Sequence, residues 1–273
     1  MLVLAATPIG NLGDASRRLM EALAGATVIA AEDTRVAQRL LAGLHVETRA
    51  RLVTVNEHTE HARIAELLDA AREGDVVLVS DAGMPTVSDP GFAVVRAAAD
   101  AGVQVTAIPG ASAVLTALAL SGLPTDRFAF EGFPPRKPGE RRRFLQTLAA
   151  EPRTTVLFES PNRTAALLAA MVEVFGPDRQ VVVARELTKL FEEVVRGTVA
   201  EVAAWAEEGV RGEVVVVLAG AEPVTASVAD AEAEVAALVA RGARLKDAST
   251  EVAQRTGLSR RALYEAALAD RRT

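Results

Sequence analysis

Residues 79–91 read VSDAGMPTVSDPG, with Ser80-Asp81 and Ser88-Asp89 each followed closely by a glycine. Two carboxylates and two hydroxyls in one connection can bond backbone amides or the hydroxyl and amine groups of a ligand. Gly83 and Gly91 permit conformations closed to other residues, while Pro85 and Pro90 stiffen the segment. If the segment only leads into a helix, Ser88 or Asp89 caps that helix near Phe92 and Pro90 fills its first turn. That explains SDPG and leaves SDAGMP without a task, which favours a pocket. ATPIGNLGD (6–14) and IPGASA (108–113) are two more glycine/proline segments, the first readable also as a plain turn with Asp14 or Ser16 as cap.

AEDTR (31–35) sets Glu32, Asp33 and Arg35 together, and its acids suit either helix capping, by Asp33 with Thr34 as the other candidate, or a substrate-facing role. ARELTKLFEE (184–193) brings Arg185 and Lys189 near the presumed cleft, and FESPNR (158–163) reads as a helix start with Ser160 as cap and Pro161 in the first turn. NEHTEH (56–61) holds His58 and His61 at HxxH spacing without further His or Cys partners, so a solvated helix start is expected and no metal site. No GxGxxG follows the first strand, and neither a GxxxxGK[ST] loop nor a GxSxG elbow occurs. Dinucleotide, P-loop and serine-hydrolase chemistry therefore have no motif support.

The elements that must position these loops come in two rhythms. LVLAA (2–6), TVIAA (27–31), LVTV (52–55), VVLVS (76–80) and VQVTAI (103–108) read as buried strands, separated by segments with helical apolar spacing. This predicts a parallel, helix-covered α/β sheet, with the three glycine/proline loops at strand ends converging on one cleft. After residue 121 the runs RFAFEGF, TTVLFES, QVVVARE, FEEVVRGTV and GEVVVVLAG predict a second α/β domain with a mixed sheet. The expected domains are 1–112, 113–221 and a helical, basic segment 222–273, entered through the linker EPVTASVAD (222–230). In that last segment LKDASTEVAQRTGLSRRALYEAALA has the pattern of a helix-turn-helix, with Ser259 as cap of its second helix.

The chain has 273 residues, no cysteine, 4% aromatics, net charge −6 and a pI near 5.3. Disulfides and thiolate metal sites are excluded, and a cytoplasmic setting fits. MLVLAATPIG lacks a basic leader, and no apolar run approaches the ~18–20 residues that span a bilayer, so a soluble protein is expected. The acidic total hides two basic clusters: RKPGERRR (136–143), and residues 241–273, where eight Arg/Lys face four acids.

Taken together, ATPIGNLGD, AEDTR, SDAGMPTVSDPG, IPGASAVLTALALSGLP, FEGFPPRK, FESPNR, ARELTKLFEE and GEVVVVLAG resemble the tetrapyrrole-methylase superfamily of S-adenosylmethionine-dependent methyltransferases over residues 1–220. AEDTR, SDAGMPTVSDPG and FEGFPPRK together resemble not its porphyrin enzymes but its subgroup acting on small-subunit ribosomal RNA, which 2'-O-methylates a cytidine ribose in the decoding centre of 16S rRNA. The resemblance implies two α/β domains, S-adenosylmethionine in the cleft between them, in-line methyl transfer without a metal, and a homodimer. By the same resemblance Pro8 and Gly10 belong to the cleft loop, Asp81, Ala82, Gly83 and Met84 to the cofactor-binding turn, and Ser112 and Ala113 to the helix start facing the methionine part. Phe158, Glu159, Leu187, Leu218, Ala219 and Gly220 match positions walling the adenosine pocket.

A ribose hydroxyl is a poor nucleophile, so a group must relieve it of its proton; Asp33 or Glu32 is the candidate, with Arg35 and Lys189 holding neighbouring phosphates. Arg136, Lys137, Arg141, Arg142 and Arg143, and Arg260 and Arg261 in the tail, are candidates for the RNA backbone of 16S rRNA or the assembled 30S subunit. Two other readings remain: a methyltransferase for a tetrapyrrole or other small metabolite, and a non-catalytic RNA-binding module.

Overall fold

In the computed structural model, which describes residues 1–222, 228–256 and 258–270, the first five apolar runs become β1 (Leu2–Ala5), β2 (Val28–Ala31), β3 (Arg51–Thr54), β4 (Val76–Val79) and β5 (Val105–Ile108). They form one parallel sheet in the order β3-β2-β4-β1-β5. Successive strand residues face opposite sides of a sheet, and here both sides are apolar because both are covered. On one face Val3, Ala5, Ile29, Val77 and Val79 pack with Leu19 and Leu23 of α1 (Arg17–Gly25) and Ala37 and Leu41 of α2 (Thr34–Gly43). On the other, Leu2, Leu4, Val28, Ala30 and Leu78 pack with Leu67 of α3 (Glu60–Glu73) and Val94 of α4 (Phe92–Asp100). Each buried leucine contributes ~1.5–3 kcal/mol, so these two layers hold the strand ends that carry the loops.

α5 (Ala113–Ser121), capped by Ser112, leads to the second sheet. Its strands are β6 (Phe128–Phe130), β7 (Thr154–Glu159), β8 (Gln180–Arg185), β9 (Glu193–Thr198) and β10 (Val214–Leu218), in the order β6-β7-β10-β8-β9. Only β6 and β7 are parallel; the other pairs are antiparallel, giving the mixed sheet expected from the run spacing. The strand expected over RFAFEGF stops at Phe130, because Gly132 turns the chain with φ +64°. α6 (Pro138–Thr147), α7 (Pro161–Phe175) and α8 (Val199–Glu207) cover one face through Leu145, Leu167, Leu168, Met171, Val199 and Val202. α5 covers the other through Val114, Ala117 and Leu118, and Ile9, from the loop after β1, enters that same cluster. One side chain of the first sheet's loops is thus part of the second sheet's core.

Met1–Ala221 form one compact unit and Glu222–Thr273 a second. The second comprises α9 (Val228–Ala240), α10 (Leu245–Thr256) and α11 (Arg260–Asp270) around Ala231, Val235, Ala248, Val252 and Leu263. The Ser259 hydroxyl accepts from Ala262 N–H at 3.4 Å, capping α11 as expected. Most of the predicted linker, residues 223–227, and Gly257 of the predicted turn lie outside the described residues.

Candidate active site

The loops after β1, β4 and β5 meet. Thr7 and Gly83 exchange backbone hydrogen bonds at 2.9 and 3.1 Å, and the Thr7 hydroxyl donates to Ser80 O at 3.3 Å. A Cβ on Gly110 would lie 3.0 Å from the Ala6 Cβ, so the first and third loops approach each other as closely as a glycine allows. The VSDAGMPTVSDPG segment carries strain that a plain lead-in would not need: Thr86 and Ser88 adopt φ of 76° and 62°. Non-glycine residues in this region cost about 1–3 kcal/mol each and persist where surrounding contacts over-determine them.

Those contacts reach across the chain. Ser88 lies against Gly132, where a Cβ would sit 3.4 Å from its hydroxyl oxygen, and Gly132 O accepts from Phe158 N–H at 2.9 Å. The cap of α4 is neither Ser88 nor Asp89, as the sequence suggested. Gly91, at φ +123°, occupies the N-cap position, and Glu60 of α3 accepts from Gly91 N–H at 3.0 Å and Ala93 N–H at 2.7 Å. Glu60, the second acidic residue of NEHTEH, therefore anchors the end of the strained loop. Local spacing carries no signal for such a cap, because its donor and acceptor are 31 residues apart.

These loops enclose a cavity of about 480 Å³ together with the end of β7 and the start of β10. Asp81, Ala82, Gly83 and Met84 line it from the second loop, and Ser112 and Ala113 from the third. Phe158 and Glu159 line it from β7, as the motifs suggested. Ile9, Val87, Phe133 and Gly212–Val215 also line it and were not anticipated. Glu159 is 3% exposed; its Oε1 takes the Ser160 N–H at 2.7 Å and pairs with Arg163, while Oε2 has no partner.

Six expected cofactor residues lie elsewhere. Pro8 and Gly10 flank Ile9 and shape its loop without lining the cavity, and a Cβ on Gly10 would come 2.5 Å from Lys189 Cγ. Leu187 is buried behind the wall in the cluster that holds Ile9. Leu218, Ala219 and Gly220 sit at the far end of β10. That strand runs antiparallel to β7 and β8, so Val214 is paired with Glu159 and Arg185 at the cavity, while Leu218 pairs with Thr155 and Val181 away from it. Gly220 is required there for a different reason: a Cβ would collide with the Pro152 carbonyl.

The structure separates the two candidate bases. Glu32 lines the cavity, and burial, then the charges of Asp89, Asp81, Glu57 and Asp33, push its carboxyl up to about 6. Asp33 is outside the cavity. It caps α2, accepting from Arg35 N–H at 2.8 Å, and its carboxylate holds the Arg35 guanidinium at 2.6 Å. That hydrogen bonding lowers Asp33 to about 2 and leaves it a weak proton acceptor. Asp81 accepts from Asp33 N–H at 3.1 Å and is raised by burial; Asp89 is pushed by burial to about 6. Lys189 is not in the lining: its ammonium pairs with Glu186 at 2.8 Å and Glu213 at 3.1 Å, bracing the loop over Gly10. A lysine held by two carboxylates is poorly placed to grip phosphate.

Residues 1–203 match the family model of Tetrapyrrole (Corrin/Porphyrin) Methylases, and residues 225–271 that of the RsmI C-terminal HTH domain. A protein of Mycobacterium tuberculosis (strain H37Rv) named ribosomal RNA small subunit methyltransferase I is 51% identical over 273 residues, covering 99% of this chain and 95% of its own. The chain belongs to the ribosomal RNA small subunit methyltransferase I family of tetrapyrrole methylases. The membership expected from the motifs is borne out. A protein of Escherichia coli O157:H7 with the same name is 40% identical over 271 residues, 98% of this chain and 94% of its own. Two solved structures share the fold of this methylase at 23% identity. They are the methyltransferase CobJ (TM-score 0.60; 81% of this chain, 94% of that one) and a Thermus thermophilus uroporphyrin-III C-methyltransferase complexed with S-adenyl homocysteine (0.55; 80% and 96%).

The basic residues of this methylase divide by helix face. Arg136, Lys137, Arg142 and Arg143 are exposed, Lys137 pairing with Glu140 at 3.2 Å and Arg142 with Glu173 at 3.6 Å. Arg141 is only 8% exposed, one turn before buried Leu145, so it does not belong to the basic surface; its Nε has no partner. Arg35 and Arg260 are exposed, as is Arg261, which pairs with Glu265 at 2.8 Å. No helix among the described residues is long and apolar enough to cross a membrane.

Proposed function

We propose that this methylase is an S-adenosylmethionine-dependent enzyme that methylates the 2'-hydroxyl of a cytidine in the decoding centre of 16S rRNA, acting on the rRNA or the assembled 30S subunit. The observation that carries the reading is Glu32, a carboxyl of pKa about 6 on the wall of a cavity built from three strand-end loops. Near-full-length relatives named for small-subunit ribosomal RNA support the substrate class.

The residues present fit the cofactor. The cavity has the size of a small-molecule site and joins apolar Ile9, Met84 and Val215 to a few polar groups. The unpartnered Glu159 Oε2 is an acceptor that an adenosine hydroxyl or amine would satisfy. Asp81, Asp89 and Glu32 make the opposite wall acidic, which suits a cationic ligand. When bound, S-adenosylmethionine supplies an electrophilic methyl group. Glu32 takes the proton of the acceptor hydroxyl, a task for which a carboxylate of pKa near 6 is better matched than one near 2. The apolar lining keeps bulk water from competing with that hydroxyl, and exposed Arg35, Arg136 and Arg143, with Arg260 and Arg261 of the tail, hold phosphates. The protein works as a cytoplasmic homodimer in this reading; Leu115 and Leu120, exposed on α5, are apolar surface that a second copy would bury.

The test incubates the full chain with methyl-labelled cofactor and 30S subunits, naked 16S rRNA or a tetrapyrrole precursor. Label in 16S rRNA, at one cytidine whose 3' linkage resists alkaline cleavage, is expected. Label only in the tetrapyrrole, or on a base, would refute the assignment.

A further inference from the structure

The cavity rim carries an aromatic ring that is left more than half exposed. Phe133 lines the cavity, yet it is 56% exposed. It is held in place from behind: its ring lies 5.5 Å from that of Phe158 at 58°, and Phe158 meets Phe130 edge-on at 4.9 Å. Three of the eight phenylalanines in an aromatic-poor chain thus form one ladder, of which only the outermost presents an open face. The backbone is equally constrained, by Gly132 against Ser88 on one side and buried Pro134, followed by Pro135, on the other. Val87, 42% exposed, lines the same rim on the chain neighbour of Ser88. A ring ordered this far in advance loses little freedom when a planar partner stacks on it. Arg136 follows within at most about 10 Å of chain; it is exposed and makes no ion pair among the described residues.

An exposed aromatic ring followed three residues on by an exposed guanidinium that makes no ion pair among the described residues suits the pairing by which unstacked nucleotides are held, the base on the ring and the phosphate on the cation. We infer that Phe133 and Arg136 form a subsite for one unpaired nucleotide of the RNA substrate, with Phe133 stacking on its base and positioning the neighbouring ribose at the cavity mouth. The inference rests on the RNA-methylation reading above. The base is that of the RNA and not the adenine of the cofactor because the enclosed part of the cavity lies at partly buried Phe158 and buried Glu159, while Phe133 is on the rim.

The test uses the full chain with 30S subunits, measuring kcat, KM for the subunit and the cofactor Kd. Phe133→Ala is expected to raise KM for the subunit roughly 10-fold or more, within the range found for a lost base stack, with the cofactor Kd changed less than twofold. Phe133→Trp is expected to restore KM and Phe133→Leu not to, and Arg136→Ala to raise KM and flatten its salt dependence. An unchanged KM in Phe133→Ala overturns the inference. So does equal rescue by Leu and Trp, which would mean simple apolar contact, or a cofactor Kd weakened by the same factor as KM, which would give the ring to the cofactor. These outcomes leave wild-type labelling of 16S rRNA intact; absence of that labelling would instead bring down the functional reading, and the inference with it.

Discussion

Replacing Glu32 with Gln removes a cavity carboxyl that burial and neighbouring charges push up to about 6, as burial does its cavity neighbour Asp89, while keeping its shape. General-base catalysis contributes about 10²–10⁴-fold, so Glu32→Gln is expected to slow single-turnover methyl transfer by ~100-fold or more. A pKa of about 6 also dictates a pH profile. The ionised fraction is about a tenth at pH 5 and about nine-tenths at pH 7, so the wild-type rate is expected to climb ~10-fold across that interval and then level off. Asp89→Asn removes a negative charge that raises Glu32, and is expected to move this limb to lower pH. Unfolding does not explain such a loss. Glu32 is raised in the fold, so the folded state binds its proton more tightly, and the stability this lends is present at low pH and lost as pH rises through about 6. Glu32→Gln is therefore expected to hold or raise the melting temperature at pH 8. The assay is rapid-quench transfer of labelled methyl to 30S subunits from pH 5 to 8, with Asp33→Asn, which preserves the helix cap, as the control. A Glu32→Gln rate within threefold of wild type, or loss of the acidic limb in Asp33→Asn only, would refute the assignment.

Glu60→Ala strips the α4 end of its carboxylate and is expected to cost ~1–2 kcal/mol, seen as a lower urea midpoint with unchanged slope; an unmoved midpoint would show that water replaces the cap fully. Gly220→Ala drives a Cβ into the Pro152 carbonyl and is expected to destabilise by ~1–3 kcal/mol, yet leave the cofactor Kd unchanged in calorimetry at low temperature, because that end of β10 is remote from the cavity. A Kd change there would return Leu218–Gly220 to the site. Arg143→Ala is expected to lower the salt slope of 30S binding by about one unit, whereas Arg141→Met, at a buried position, leaves the slope alone. Equal slopes for both variants would mean that helix face does not define the RNA surface.

Much of this protein was legible from short-range pattern. Apolar runs of β-strand length separated by helical spacing gave the parallel sheet, because both depend on contacts repeated every few residues. The glycine and proline content of TPIG, DAGMP and PGAS pointed to bent loops at strand ends, and the Thr7–Gly83 bridge and the Gly110–Ala6 approach show them converging. Arg141 was misread although its spacing from Leu145 already put it on the core face of α6.

Other features depend on partners far away in the chain. Adjacent Glu32 and Asp33 look equivalent in AEDTR, and only their surroundings separate them, one raised by burial among carboxylates and the other held down by Arg35. Glu60 caps a helix 31 residues on. Whether the start or the end of VVVVL meets the cavity follows from β10 running antiparallel to its neighbours. Sequence by itself therefore determined which segments bend and which bury, since those preferences are local free energies of backbone and side chain. Tertiary structure alone decided which carboxylate titrates near neutrality and which strand end faces the cavity, since desolvation and strand direction are set by residues that sequence distance keeps apart.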